Sequence, residues 1–246
     1  QIHQLTDHGE TVARAILNNE AIAVSDGSYK NDSGAAGLVL QQGFNKTHRI
    51  CLSNVIPGLA AAQSSYRSEL GGLYGIVCVV ETLTSNYGLT SGSITIGCDG
   101  KEALYQSLSD TGPVSPRASD FDVITAIRRK VARSPITFHT KWVEGHQDSM
   151  PGRSRRLGPW AMLNVEMDLL AKQRLALQSL VVTPPGNTIT DEPWQLWLGE
   201  AKISNKLPEQ LYTHFSKPRA KKYWEKRLPP ASFDDVDWNA TGHASR

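Results

Sequence analysis

The chain has 246 residues, 39% hydrophobic and 20% charged, with 20 Gly and 13 Pro, a composition that excludes a disordered or fibrous polypeptide. No run approaches the 18 apolar residues that a membrane helix needs. With 26 Lys and Arg against 24 Asp and Glu the formal charge is only +2, so any nucleic-acid contact has to come from local clusters.

In chain order, residues 8–18 (HGETVARAILN) read as a short helix, with Asp7 placed to cap it and Val12, Ile16 and Leu17 on one face. The period then changes. Ala21–Ser25, Ala35–Gln41 and Lys46–Ser53 are β-rich runs separated by the turn formers DGSYKNDSG and QGFN, which predicts an antiparallel meander. Between Ser65 and Ser85 the residues Leu70, Leu73, Val77, Val80 and Leu83 recur at helical spacing, and Gly71, Gly72 and Gly75 would permit close packing on a sheet. Ser93–Cys98 reads as a buried strand, Lys101–Leu108 as a short helix, and Pro116–Arg133 as a longer one with Arg128, Arg129, Lys130 and Arg133 at its end. Ile136–Val143 gives a fifth strand, Gly145–Pro159 a loop of Gly, Pro and Arg, and Trp160–Gln178 a last helix.

Strands followed by helix–strand alternation predict an α/β domain over residues 1–180, built on a mixed five-stranded sheet, three strands antiparallel and then two parallel, flanked by helices. Pro184–Pro185–Gly186 is a break, and residues 181–246 form a C-terminal extension that holds four of the six Trp. Its KPRAKKYWEKR segment interleaves cations with Tyr223 and Trp224. It reads first as an amphipathic helix with its aromatic face packed down, and second as a nucleic-acid platform. Cys51, Cys78 and Cys98 are odd in number, lack metal-ligand spacing and lie in apolar runs, as expected of reduced core thiols in a cytoplasmic or nuclear protein. Gln1 in place of Met suggests a piece of a longer polypeptide.

Four carboxylates stand out. Asp26 ends the first strand of the meander and Asp99 ends the fourth strand; lying parallel, both would reach the carboxyl edge where open α/β sheets build sites. Glu69 sits one turn into the long helix. Asp168 lies in the last helix with Asn164 one turn earlier on the same face. Singly, each has a bland reading as a turn former, a helix cap or a solvated helix residue. Together they form an oxygen-only donor set suited to Mg²⁺ or Mn²⁺. Two carboxylates ~4 Å apart repel by about 4 kcal/mol at an effective dielectric near 20, so at least one should titrate high until a cation arrives.

The ordered set Asp26 (SDGSY), Glu69 (YRSELGGLYG), Asp99 (CDGKEAL), His146 (WVEGHQD) and Asp168 (LNVEMDLLAK) resembles the active site of the type 1 ribonuclease H family, in particular the domain fused to retroelement reverse transcriptases. The resemblance covers residues 20–178. It implies a ribonuclease H-like fold and two Mg²⁺ ions, with Mn²⁺ possible, held by the four acids. It also implies that His146 assists proton transfer or product release, and that the substrate is the RNA strand of an RNA–DNA hybrid. A reverse transcriptase domain in the same polyprotein is the implied partner, with no membrane involved.

Implied nucleic-acid contacts are Gly27, Ser28, Ser64, Ser65, Tyr66, Arg67, Asn164 and the loop residues Arg153, Arg155 and Arg156. The cations at 128–133 suit either the DNA strand or the negative end of their own helix. The sequence departs from the family in lacking the usual Asn beside Ser64–Tyr66 and in the GRSRRLGPW insert, which lengthens the interval from His146 to Asp168. Two other readings are an integrase or recombinase of the same fold, against which Glu69 and His146 argue, and a catalytically silent nucleic-acid-binding domain beside a polymerase, against which the complete set of acids argues.

Overall fold

A computed structural model describes residues 1–58, 62–109, 112–115, 117–145, 147, 157–178, 189, 192, 195–199, 201–224 and 226–227. The meander forms with longer strands than its apolar runs suggest. β2 (Ala21–Lys30) and β3 (Ser33–Gln42) pair along ten residues each, and the chain reverses only at Asn31 and Asp32. Both residues have positive φ, 50° and 56°, which a two-residue hairpin loop requires to match the strand twist. The turn signal in DGSYKNDSG is therefore two residues long, and the ladder takes the rest.

β4 (Arg49–Val55) follows β3 antiparallel, and β1 (Ile2–Leu5) adds to its outer edge. IHQL is too short and too polar to announce a strand, so the sheet has six strands where the sequence predicts five. β5 (Ser93–Cys98) and β6 (Thr137–Trp142) continue the other side in parallel, giving the order β1-β4-β3-β2-β5-β6. The expected pattern of antiparallel strands followed by parallel ones, flanked by helices, is the fold.

Side-chain alternation on β2 divides the core. Ala21 and Ala23 face the larger cluster, shared with α1 (Glu10–Leu17), α2 (Ser65–Tyr87) and α4 (Phe121–Arg133); Ile22 and Val24 face Leu163, Met167 and Leu170 of α5 (Pro159–Gln178). A Cβ on Gly72 would lie 2.8 Å from Ser25 Cβ, so α2 reaches the sheet only because glycine stands there. Between β5 and α4, α3 (Lys101–Leu104) runs into a wider π turn at Tyr105–Ser109. Asp7 does not cap α1 from the cap position, which Gly9 holds; its carboxylate instead accepts the Gly9 and Thr11 amides at 3.2 and 3.3 Å.

In the extension, β7 (Trp197–Leu198) and β8 (Ala201–Lys202) make a hairpin about Gly199, followed by α6 (Leu207–Leu211), a π turn at Tyr212–Ser216, and α7 (Lys217–Trp224). Its root belongs to the core, since Ile189 joins the larger cluster and Ile203 is buried. The helical part behaves otherwise. No described residue of α6, the π turn or α7 is buried, which overturns the expectation that Tyr223 and Trp224 pack down.

Candidate active site

Strand register brings the first two acids level. β2 and β5 pair in parallel from Ala21↔Ile94 to Val24↔Gly97, and two further residues lead to Asp26 on one strand and Asp99 on the other. Asp26 lies inside β2, still paired to Gly37 of β3, at the height where the parallel partner has ended. It shares the face of Ile22 and Val24, toward α5, and is 4% exposed. There Asn164 Nδ2 donates to Asp26 Oδ2 at 2.9 Å.

Glu69 arrives from α2. Ser64 caps that helix, its Oγ accepting the Arg67 amide at 2.9 Å. The Gly27 amide donates to Glu69 Oε1 and the Cys98 thiol to Glu69 Oε2, each at 3.2 Å. A Cβ on Gly27 would lie 2.6 Å from the Glu69 backbone nitrogen, so a side chain there would lift the helix and its acid away. Glu69, Cys98 and Asp99 offer donor atoms that all lie within 4.8 Å of one another. The Trp142 indole donates to the Asp99 carbonyl at 3.0 Å, and Lys172, one turn after Asp168 on α5, holds Asp168 Oδ2 at 2.6 Å.

The electrostatics tie all four acids together. Burial raises the Asp26 carboxyl to about 9, with Glu69, Asp99 and Asp168 adding to it. Burial likewise raises Glu69 to about 8; Asp99 and Asp168 push it further up, while the Cys98 and Gly27 hydrogen bonds oppose them. The Cys98 thiol is raised by its own burial and by Glu69, so it stays protonated and serves as a donor to the carboxylate. What remains for a ligand is a set of hard oxygen donors, two of which hold protons that a cation would displace, which fits a divalent ion such as Mg²⁺ or Mn²⁺.

No model of a protein family matches the sequence, and no curated protein does. Among solved structures the chain is similar to the N-terminal RNase H domain of rv2228c from Mycobacterium tuberculosis, determined as a fusion with maltose-binding protein (14% identity, TM-score 0.40, 66% of this chain and 98% of that one). It is also similar to LC11-RNase H1 in complex with an RNA/DNA hybrid (13%, 0.47, 65% and 99%) and to RNase H1 of the halophilic archaeon Halobacterium salinarum (16%, 0.43, 65% and 98%). These likenesses are distant, and the functional assignment rests on the carboxylates.

The expected nucleic-acid residues divide. Ser65 is exposed, and the Tyr66 hydroxyl donates to Gln106 Oε1 at 3.0 Å. Ser28 is partly exposed, and its carbonyl accepts the Ser68 hydroxyl at 3.2 Å. Arg67 is a correction: 1% exposed, it points inward, paired to both oxygens of Asp122 at 2.9 Å, to Asp120 at 2.8 Å and to the Pro57 carbonyl at 2.9 Å. A guanidinium so occupied has nothing to offer a phosphate. Asn164 is likewise buried, its amide spent on Asp26.

Of the basic group on α4, Arg128 donates to the carbonyls of Gln106 and Gly112, and Lys130 binds Glu81 of α2 at 2.5 Å, partners outside their own helix. His146, Arg153, Arg155 and Arg156 lie outside the described residues. Sequence reasoning missed Cys98 as a site residue, although its place directly before Asp99 at the end of β5 was the available signal.

Proposed function

We propose that this chain is a ribonuclease H, hydrolysing the RNA strand of RNA–DNA hybrids with two divalent cations held by Asp26, Glu69, Asp99 and Asp168. What supports this reading is that Asp26 of β2 and Glu69 of α2 are raised to about 9 and 8, first by burial and then by the charges of the neighbouring acids, Asp99 and Asp168 among them. Such a cluster is poorly stable alone and well matched to divalent charge. When bound, the cations would activate a water and stabilise the leaving 3′ oxygen of an in-line displacement.

The protein's own groups set the frame. Asn164 orients Asp26, the Gly27 amide and the Cys98 thiol orient Glu69, and Lys172 holds Asp168 in its rotamer. Ser64, Ser65 and Tyr66, at the start of the helix that carries Glu69, would read the 2′-hydroxyls that distinguish RNA from DNA. His146 would move a proton to or from the departing product. In the setting the resemblance implies, the chain belongs to a retroelement polyprotein with a reverse transcriptase and removes the RNA template after first-strand synthesis.

The test is cleavage of an end-labelled hybrid by the full chain in Mg²⁺, beside RNA–RNA and DNA–DNA duplexes and the Asp99→Asn variant. Cuts confined to the RNA of the hybrid and lost in the variant are expected. Equal cleavage of all three duplexes, or a fully active variant, overturns the assignment.

A further inference from the structure

The helical arm that closes the described chain has no role in the chemistry above, and its composition is unusual. From Tyr212 to Arg227 the sequence holds six Lys or Arg against one Glu, and no Leu, Ile, Val or Met. Its apolar surface is almost wholly aromatic, and that surface is open: Tyr223 is 52% exposed, Trp224 38%, and Tyr212 and Phe215 are exposed to a similar degree. Tyr223 and Trp224 follow Ala220 by three and four residues, so the three share a face of α7, with Lys217, Arg219 and Lys222 exposed around them. The two rings meet edge to face at 5.2 Å, and the Arg227 guanidinium lies 3.8 Å from the centre of the Tyr223 ring.

A helix meant for a protein core carries aliphatic bulk on its apolar face, and one meant for a lipid surface sets Leu among its Trp and Phe, opposite Lys and Arg. A platform for nucleic acid carries rings on which bases stack and cations that follow the phosphates, and needs no aliphatic side chain. The arm has the last of these compositions.

Its attachment gives it a place. Lys202, 7% exposed, pairs with Glu192 at 2.5 Å and with Asp122 at 3.4 Å, and Asp122 is the residue that grips Arg67 of α2. The root is thus pinned to the helix that bears Glu69. A cleft of about 490 Å³ next to it is lined by Ser64, Tyr66 and Gln106 on one side and Asn205 and Lys206 on the other, and α6 begins at the next residue. The arm therefore leaves the fold at the segment proposed to meet the RNA.

We infer that the Tyr212–Ser216 turn and α7, carried out from the fold by α6, form an accessory binding arm for a single nucleic-acid strand, bases stacking on Tyr223 and Trp224 and phosphates lying along the surrounding Lys and Arg. Its position relative to substrate rests on the proposed function; its affinity for a strand does not. The test uses the full chain carrying Asp99→Asn, in EDTA so that no cleavage intervenes, with a fluorescent 20-nucleotide oligo(dT) followed by anisotropy. The substitutions Tyr223→Ala with Trp224→Ala, and Lys221→Glu with Lys222→Glu, lie on a surface that supports no core, and circular dichroism checks that each variant is folded.

The aromatic pair variant should bind the strand at least about tenfold more weakly, as loss of base stacking predicts. The charge-reversal variant should bind more weakly with a shallower dependence on salt. Unchanged strand affinity in both variants overturns the arm's role. So does capture by phosphatidylserine vesicles, or self-association in sedimentation, that is lost with these substitutions while oligo(dT) affinity stays unchanged. Cleavage by the chain without Asp99→Asn separates the two proposals: an inactive chain whose strand affinity still depends on Tyr223 and Trp224 keeps the arm and loses the nuclease, and an active chain indifferent to those residues does the reverse.

Discussion

Two buried charged clusters lie two residues apart on α2, and they are built on opposite plans. Arg67 anchors one, where its guanidinium and Lys202 sit among Asp120, Asp122 and Glu192, with every carboxylate within 3.4 Å of a cation. Glu69 anchors the other, among Asp26, Asp99 and Asp168, where Lys172 holds Asp168 at 2.6 Å. In the first cluster opposing charges offset the cost of burial, and burial pushes Asp120 up while Arg67 holds it down. In the second, burial and repulsion act in the same direction. A helix that holds a neutralised cluster two residues from one crowded with acids separates what keeps the fold together from what waits for a ligand.

The sharpest way to break that contrast is to remove one acid from each cluster. Asp99→Asn should lower cleavage of the hybrid by at least about 10³-fold, equivalent to about 4 kcal/mol of barrier, while the metal-free chain melts no lower than the parent. Asp122→Ala should do the opposite: it strands Arg67 and Lys202 without their shared partner, at a cost of about 3–5 kcal/mol of folding stability. Urea titration in EDTA separates the two, and equal destabilisation by both substitutions would dissolve the distinction between the clusters.

Much of this contrast was legible in the sequence, and the illegible part has a physical cause. The order of strands and the long glycine-bearing helix could be read because each leaves a local mark, a period of two or of 3.6 between turn signals. Arg67 could not. Nothing in SYRSEL says whether an arginine faces solvent or the interior, because its partners Asp120 and Asp122, at the cap and in the first turn of α4, lie more than fifty residues away. Lys202 is hidden for the same reason. The strand IHQL failed on length and polarity, since pairing to β4 supplies what its side chains do not. Asp26 was placed at a strand end by its turn-forming neighbours, whereas β3 pairing carries the strand four residues further.

Cation binding should act on one cluster only. At a free Mg²⁺ concentration one hundred times the dissociation constant, binding to the folded chain alone adds about 2.7 kcal/mol, which for a chain of this size raises the melting temperature by roughly 5–10 °C. Scanning calorimetry with and without Mg²⁺ measures it. The shift should vanish in Asp99→Asn and persist in a conservative change at the neutral cluster, Asp122→Asn, provided that variant folds. A Mg²⁺ shift retained in full by Asp99→Asn would place the ion elsewhere.

The smallest effect is also the most diagnostic of which acid bears the strain. Asp26 and Glu69 have folded-state values near 9 and 8, against about 4 in an unfolded chain. Below pH 4 both states hold these protons and no penalty exists. Between pH 4 and pH 9 the folded chain retains protons that the unfolded chain has released, so metal-free stability falls as pH rises and levels off once Asp26 ionises. Asp26→Asn removes the larger of the two contributions. Its metal-free stability should decline less steeply over that window and should exceed the parent's by roughly 1–3 kcal/mol at pH 8, within the range for relieving a buried unpaired charge. Asn164 can still donate to the new amide oxygen, so the substitution need not cost the hydrogen bond. Denaturant midpoints at pH 5, 6.5 and 8 in EDTA give the slope, and a variant whose midpoints track the parent's at all three would mean that the Asp26 proton is not the one the fold keeps.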